Sequence, residues 1–300
     1  MGLLYDAVIG GLKLLPRPLM RSLASRYIAG ETLDEALAVI RDREAQGYRT
    51  ILDILGENVT QESEARDVAA KYIEAARALA GASTSAYVSV KPTHVGLTNS
   101  EDLAFELYLE IGRAAAEVGA FLRVEMEDHP TTDGTLRVYE RLRDELDNVG
   151  IVLQARLHRT LDDIRALREG PIDVRIVKGI YLEPEEIAHV AAQPIRDAFI
   201  ECTRALFERG ATVSIATHDA PMADQILDMV RTMEVPGDRY EFQVLMGVQE
   251  SLWRRWREAG HTVRVYVPYG PEWKAYSLRR LSKNPQIFRH IVRDTLSFRR

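Results

Sequence analysis

The stretch Val213-Ser-Ile-Ala-Thr-His-Asp-Ala-Pro-Met-Ala-Asp-Gln-Ile-Leu-Asp-Met-Val-Arg-Thr232 decides how the chain folds. It opens with a short β-rich run, Val213 to Thr217, that ends on the polar trio Thr217-His218-Asp219, and from Pro221 to Thr232 its apolar residues recur at helical spacing. A second β-rich run, Glu241 to Leu245, follows. Strand, helix, strand implies a parallel sheet, because the crossover helix must return the chain to the end it started from.

The same unit recurs along the chain. Strand-like runs lie at Thr50 to Ile54, Ala86 to Val90, Phe121 to Glu125, Ile151 to Gln154, Val174 to Val177, Val213 to Thr217, Glu241 to Leu245 and Val263 to Val267. Helical spacing marks Glu62 to Leu79, Ser100 to Ala115, Gly134 to Leu146, Glu185 to Glu208 and Pro221 to Thr232. Thr60, Asn99 with Ser100, and Thr160 read as helix starts, and Gly81, Gly119, Gly150, Gly170 and Gly210 as helix ends. No Pro- or Ser-rich linker divides the chain, so the pattern predicts a closed (β/α)₈ barrel of the TIM type, an α/β fold. Residues 1–48 are expected to form a helical lead-in packed on the barrel, and residues 49–300 the barrel itself, with a last helix from Ile287 to Leu296 after Asn284-Pro285.

Composition narrows the function. The chain has 300 residues, 46% of them hydrophobic, which is enough for a large core, and a net charge of -6 with the basic residues scattered gives no footprint for nucleic acid. The single cysteine, Cys202, excludes an internal disulfide and a Cys-rich metal site. No apolar run is long enough to span a bilayer and no export signal opens the chain, so a cytoplasmic protein is expected. The segment Leu3 to Ile28 is apolar on one side and carries Lys13, Arg17, Arg21 and Arg26, a pattern that fits either a helical pair capping the bottom of the barrel or a peripheral contact with the inner face of a membrane.

In a barrel of this type the chemistry sits at the C-terminal strand ends. Here those ends carry Glu57, Lys91, Glu125, Gln154 and Arg156, then Arg175 with Lys178-Gly-Ile-Tyr181, then Thr217-His-Asp219, Gln243 with Leu245, and Tyr266. Beyond the last strand, Tyr276, Arg279 and Arg280 fall on one face of a helix, and paired guanidinium groups suit a small carboxylate. Many donors and cations among few carboxylates suit an anionic substrate together with an anionic cofactor. Metal hydrolysis fits poorly, since no His-x-His follows the first strand, and no metal site is expected. A Schiff-base lyase or aldolase using Lys91 or Lys178 stays open at this point, but it leaves Tyr266 and the two arginines without a task. A Gly-rich dinucleotide fingerprint is absent.

The motifs Leu52-Asp-Ile-Leu-Gly-Glu57, Val88-Ser-Val-Lys91, Val124-Glu-Met-Glu-Asp128, Val152-Leu-Gln-Ala155, Arg175-Ile-Val-Lys-Gly-Ile-Tyr181, Ala216-Thr-His-Asp219, Phe242-Gln-Val-Leu245 and Tyr266-x-Pro-Tyr-Gly with Trp273, Tyr276, Arg279, Arg280 and Leu281 resemble, in order, those of bacterial monofunctional proline dehydrogenases. The resemblance implies a distorted (β/α)₈ barrel that binds FAD, oxidises L-proline to Δ1-pyrroline-5-carboxylate by hydride transfer to flavin N5, and passes the electrons to a membrane quinone. It implies that Lys91, Glu125, Tyr266, Arg279 and Arg280 do the catalytic work, the arginines clamping the substrate carboxylate with Lys91 beside them. Leu245, Tyr266 and Tyr276 would shape the ring pocket, and Glu57 would pair with Arg279. Gln154, Arg175, Val177, Lys178, Gly179, Tyr181, Thr217, His218, Asp219 and Gln243 would hold FAD. Departures from the family pattern fall at Glu125 (usually aspartate), Pro92, His94, Arg156, Ile180 and Lys283, so a modified proline or another cyclic imino acid is the alternative substrate, and a silent flavin-binding relative a further one.

Overall fold

The computed structural model describes residues 21, 24–83, 85–274, 276 and 277. Along it run α1 (Leu33–Ala45), β1 (Arg49–Ile54), α2 (Glu62–Ala78), β2 (Tyr87–Val90), α3 (Glu101–Glu117), β3 (Leu122–Val124), α4 (His129–Leu142) and β4 (Val149–Gln154). The second half continues with α5 (Thr160–Ala166), β5 (Asp173–Val177), α6 (Ala192–Glu208), β6 (Thr212–Ala216), α7 (Ala220–Thr232), β7 (Tyr240–Leu245), α8 (Glu250–Glu258) and β8 (Val263–Tyr269). The strands are parallel in sequence order and β1 closes on β8, Ile51 lying opposite Tyr87 on one side and Tyr266 on the other.

Alternation along each strand separates two environments. Leu52, Val88, Val90, Leu122 and Val124 point outward and are buried with Tyr72, Leu107, Tyr108 and Ile111 of the helices, where each such side chain contributes about 1.5–3 kcal/mol. The inward residues are largely polar and build the site. The helix α1 fills the outer seam between β8 and β1, burying Ala36, Leu37 and Ile40. It opens with a capping box in which Thr32 accepts from the Glu35 amide and the Glu35 carboxylate accepts from Thr32 N. Just before it, Ala29 N donates to Pro268 O and Gly270 N to Gly30 O, so the chain at Ala29 and Gly30 runs along the C-terminal rim, while most of the segment Leu3 to Ile28 lies outside the described residues.

Two helices start elsewhere than the spacing predicts. The helix α4 begins at His129, five residues before Gly134, because Pro130 is placed in its first turn and the Thr131 and Thr135 hydroxyls bond back to the carbonyls of Asp128 and Thr131. The helix α6 begins at Ala192, not Glu185: Pro194 lacks an N–H and is tolerated only in a first turn. Residues 178–191 form a loop instead, joined to the β4 side by a Leu157–Ala188 bridge. Gly150 is a residue of β4, where a Cβ would stand 2.5 Å from Arg123 Nη1, and does not end a helix. Thr160 is the first residue of α5 and donates to Gln154 O, so it is not the cap. Among the described residues no helix is long and apolar enough to cross a membrane. The expected last helix, Ile287 to Leu296, lies outside them.

Candidate active site

Inside the barrel, every second residue of several strands is ionic or hydroxylic. At the lower level Arg264 pairs with Glu241 (2.6 and 3.0 Å), and Arg123 pairs with Asp173 (2.6 Å). Above them Arg175 of β5 reaches across the interior. Its Nε donates to Gln243 Oε1 (2.5 Å), Nη1 to Glu125 Oε1 (2.5 Å), and Nη2 to Tyr87 OH (3.2 Å). Glu125 Oε1 also accepts from Ser89 Oγ (2.5 Å) and Tyr266 OH (3.1 Å). Burial would raise the Glu125 carboxyl, but Arg175 and Lys91 more than offset it, so its pKa lies below the ordinary value and the group is ionised. Burial, with Asp53 and Glu125 adding, drives Tyr266 well above the usual phenol, which keeps it a neutral donor.

At the mouth, Lys91 Nζ stands 3.1 and 3.3 Å from the two oxygens of Asp53. Burial disfavours this ammonium, yet Asp53, Glu125 and Glu127 outweigh it and its pKa is raised. A lysine held protonated has no lone pair to attack a carbonyl, which counts against imine chemistry at this residue. Asp53 itself is pushed up by burial, Lys91 pulling it back only in part.

Beside the mouth a cavity of about 780 Å³ is lined by Glu57, Lys91, His94, Tyr269 and Tyr276 among others. It sits toward α2 and is not centred over Glu125 and Tyr266; Lys91 is the side chain the two share. His94, buried with its Nδ1 unpartnered among the described residues, is held neutral down to about 3 by burial, with Lys91 and Lys71 adding to the effect.

The other side of the mouth is built from the ends of β4 to β7. Gln154 donates to Glu127 O (2.7 Å), while its Oε1 is buried without a partner among the described residues. Gly179 has φ +95°, and a Cβ there would stand 2.7 Å from Arg156 Cδ and 2.9 Å from Gln154 Oε1, so no larger residue fits. Arg156 holds the loop after β5, donating to Tyr181 O and His189 O. Asp219 caps α7 through Met222 N and receives both Lys178 Nζ and Arg196 Nε at 2.6 Å; burial raises its carboxyl, but these two cations bring it below the ordinary value. Thr217 Oγ1 accepts from Asp219 N, and His218 Nε2 accepts from Leu245 N, which assigns the ring proton to Nδ1. Val177 ends β5, half-buried, and its carbonyl accepts from Ala155 N. An unsatisfied amide oxygen, a backbone too close for a Cβ and two cations on one carboxylate at a helix N-terminus suit a flat heteroaromatic ring carrying an anionic tail.

The barrel thus gathers Lys91, Glu125, Tyr266, Arg175 and Gln243 in its interior, sets Glu57 and Tyr276 on the cavity and places Gln154, Val177, Lys178, Gly179, Tyr181, Thr217, His218, Asp219 and Leu245 around the opposite rim. Arg279, Arg280 and Lys283 lie outside the described residues. Asp53, Ser89 and Glu127, which stand inside the quoted motifs without an assigned role, and Tyr87 and Arg196, which stand outside them, also bond to these residues or act on their charge. For the strand residues a signal exists: Tyr87, Ser89 and Lys91 alternate as polar groups on a strand that must be buried on both faces.

The chain matches the proline dehydrogenase family over residues 36–289. It is 33% identical to a proline dehydrogenase of Deinococcus radiodurans across 94% of this chain and 93% of that one, and 30% identical to proline dehydrogenase 1 of Bacillus subtilis across 91% and 90%. Among solved structures, proline utilization A from Bdellovibrio bacteriovorus, inactivated by N-propargylglycine, superposes with a TM-score of 0.81 at 26% identity, covering 87% of this chain and 32% of that larger one. With nearly the whole chain aligned to such relatives and the barrel of the larger protein reproduced, this chain belongs to the proline dehydrogenase family.

Proposed function

We propose that the protein oxidises L-proline to Δ1-pyrroline-5-carboxylate with FAD as resident cofactor and a quinone as the onward electron acceptor. The observation that supports this most is the fixed cation at the mouth: Lys91 is held charged by Asp53, next to the neutral hydroxyl of Tyr266 and the ionised Glu125. A small amphoteric ring needs such a surface, one pole for its acid and an acceptor near its nitrogen.

When bound, FAD supplies the two-electron sink, taking a hydride at flavin N5. Gln154 would offer its unpaired carbonyl to the ring edge. The backbone of Val177 and Gly179 would allow close approach, and Lys178, Tyr181, Thr217, His218 and Asp219 would line the rest. Arg175 has its donors committed to Glu125, Ser89, Tyr87 and Gln243, so its part would be that of a fixed positive charge that favours added electrons on the bound flavin. Lys91 with Arg279 and Arg280 would bind the substrate carboxylate, while Leu245, Tyr266 and Tyr276 would flank the carbon skeleton and Glu57 would partner Arg279. Fixing both ends of a five-membered ring sets the carbon beside nitrogen in one place, which is orientation catalysis.

The test is the visible spectrum of the purified protein, recorded without oxygen before and after L-proline. A yellow protein that bleaches on adding proline is the expected result. A yellow protein indifferent to proline would overturn the substrate, and a colourless one that added FAD leaves colourless would overturn the cofactor.

A further inference from the structure

The ammonium of Lys91 ends a chain of four freely rotating bonds, so something must decide where it stands. Three carboxylates act on it: Asp53, Glu125 and Glu127. Two of them are committed elsewhere. Glu125 receives Arg175, Ser89 and Tyr266, and Glu127 receives Thr93 N (2.7 Å) and Thr93 Oγ1 (2.9 Å). Asp53, 1% exposed, faces Lys91 Nζ with both oxygens. It is steadied in turn by Tyr72 of α2, whose hydroxyl lies 3.3 Å from Asp53 Oδ1 and 3.2 Å from both the N and the O of Ile54. An ammonium has three N–H donors, and two acceptors on Asp53 leave one for a ligand in the mouth.

We propose that Asp53 is a positioning residue for the substrate's acid end, acting through Lys91: its buried carboxylate sets where Nζ stands and so tunes affinity for the substrate carboxylate. This rests on the reading of Lys91 as a carboxylate anchor in a proline-oxidising enzyme. Asp53 touches no substrate atom itself. The Asp53 carboxylate also acts on the Tyr266 hydroxyl, but its main partner is Lys91, so its loss acts on binding more than on turnover and chiefly while Lys91 is present.

A double-mutant cycle on the FAD-loaded enzyme tests it, using Asp53→Asn, Lys91→Met and the pair. The readouts are KM and kcat for L-proline and the inhibition constant of cyclopentanecarboxylate, a ring acid with no nitrogen to oxidise. Asp53→Asn is expected to keep flavin content and melting temperature, to raise KM and the inhibition constant together about tenfold, and to change kcat less than about threefold. The pair is expected to be no weaker than Lys91→Met alone. Additive losses, or an unchanged inhibition constant in Asp53→Asn, would overturn the proposal. Where Asp53→Asn fails to fold, Tyr72→Phe takes its place in the cycle: losses that vanish in the Lys91→Met background support the proposal, and additive ones overturn it. An enzyme whose flavin proline does not bleach would instead sink the reading beneath it, and Lys91→Met with unchanged affinity would sink the anchor role; both are told apart from additivity.

Discussion

Glu125 shows how much a single side chain carries here. One of its oxygens collects a guanidinium, a serine hydroxyl and a phenol from three strands, so one carboxylate balances the charge of Arg175 and ties those strands together. His94 is a quieter case with a sharper test. Its folded pKa lies near 3 against about 6.5 when unfolded, so between those values the unfolded chain binds more protons than the folded one. The neutral ring's contribution is intact above pH 6.5 and is lost as pH falls toward 3, by up to about 1.4 kcal/mol per pH unit. His94→Gln should therefore unfold in urea with a stability that falls less steeply from about pH 6 to about pH 4 than that of the parent; identical slopes would mean the ring is solvated. Lys91 and Glu125, each just past its strand, are legible in the sequence because a barrel puts function at strand ends, whereas Tyr266 stands in the middle of β8 and is legible only through the motif around it. Asp53 is not, because its partner is fixed by the register of β1 on β2, a tertiary pairing that no local pattern encodes.

Among the elements, α1 is the one whose place local sequence does not reveal. The lead-in is expected to be helical, yet the seat of α1 between β8 and β1 depends on a strand at the far end of the chain. This helix also opens with a full capping box, so removing the cap has a defined cost. Thr32→Ala should lower stability by about 1 kcal/mol, read as a shift in denaturant midpoint at unchanged slope. The starts of α4 and α6 depart from the helical spacing for related reasons. Threonine hydroxyls that find carbonyls inside α4, and a proline that forbids an earlier start to α6, are local steric and bonding facts that apolar periodicity does not register. The eight strands, by contrast, stand out because each is short, rich in β-branched and other apolar residues at alternate positions, and bounded by turn residues.

At the level of the whole molecule, α1 covers the outer seam where β8 meets β1 and the barrel closes. A chain beginning at Gln46 would leave the β8–β1 seam uncovered, together with the apolar face that Ala36, Leu37 and Ile40 occupy. It is expected to lose cooperative melting by circular dichroism, while a chain beginning at Gly30 keeps it. Equal melting of the two would show that α1 is an accessory. The closure itself governs how the protein comes into being. Arg264 bonds to Thr50 O, 214 residues earlier, so β1 leaves the ribosome long before its last partner exists. At synthesis rates of about 5–20 residues per second, that edge waits roughly 10–40 s in the open. Throughout that interval the nascent sheet offers an unpaired strand to any neighbouring chain, which makes holdase chaperones a natural companion of its synthesis.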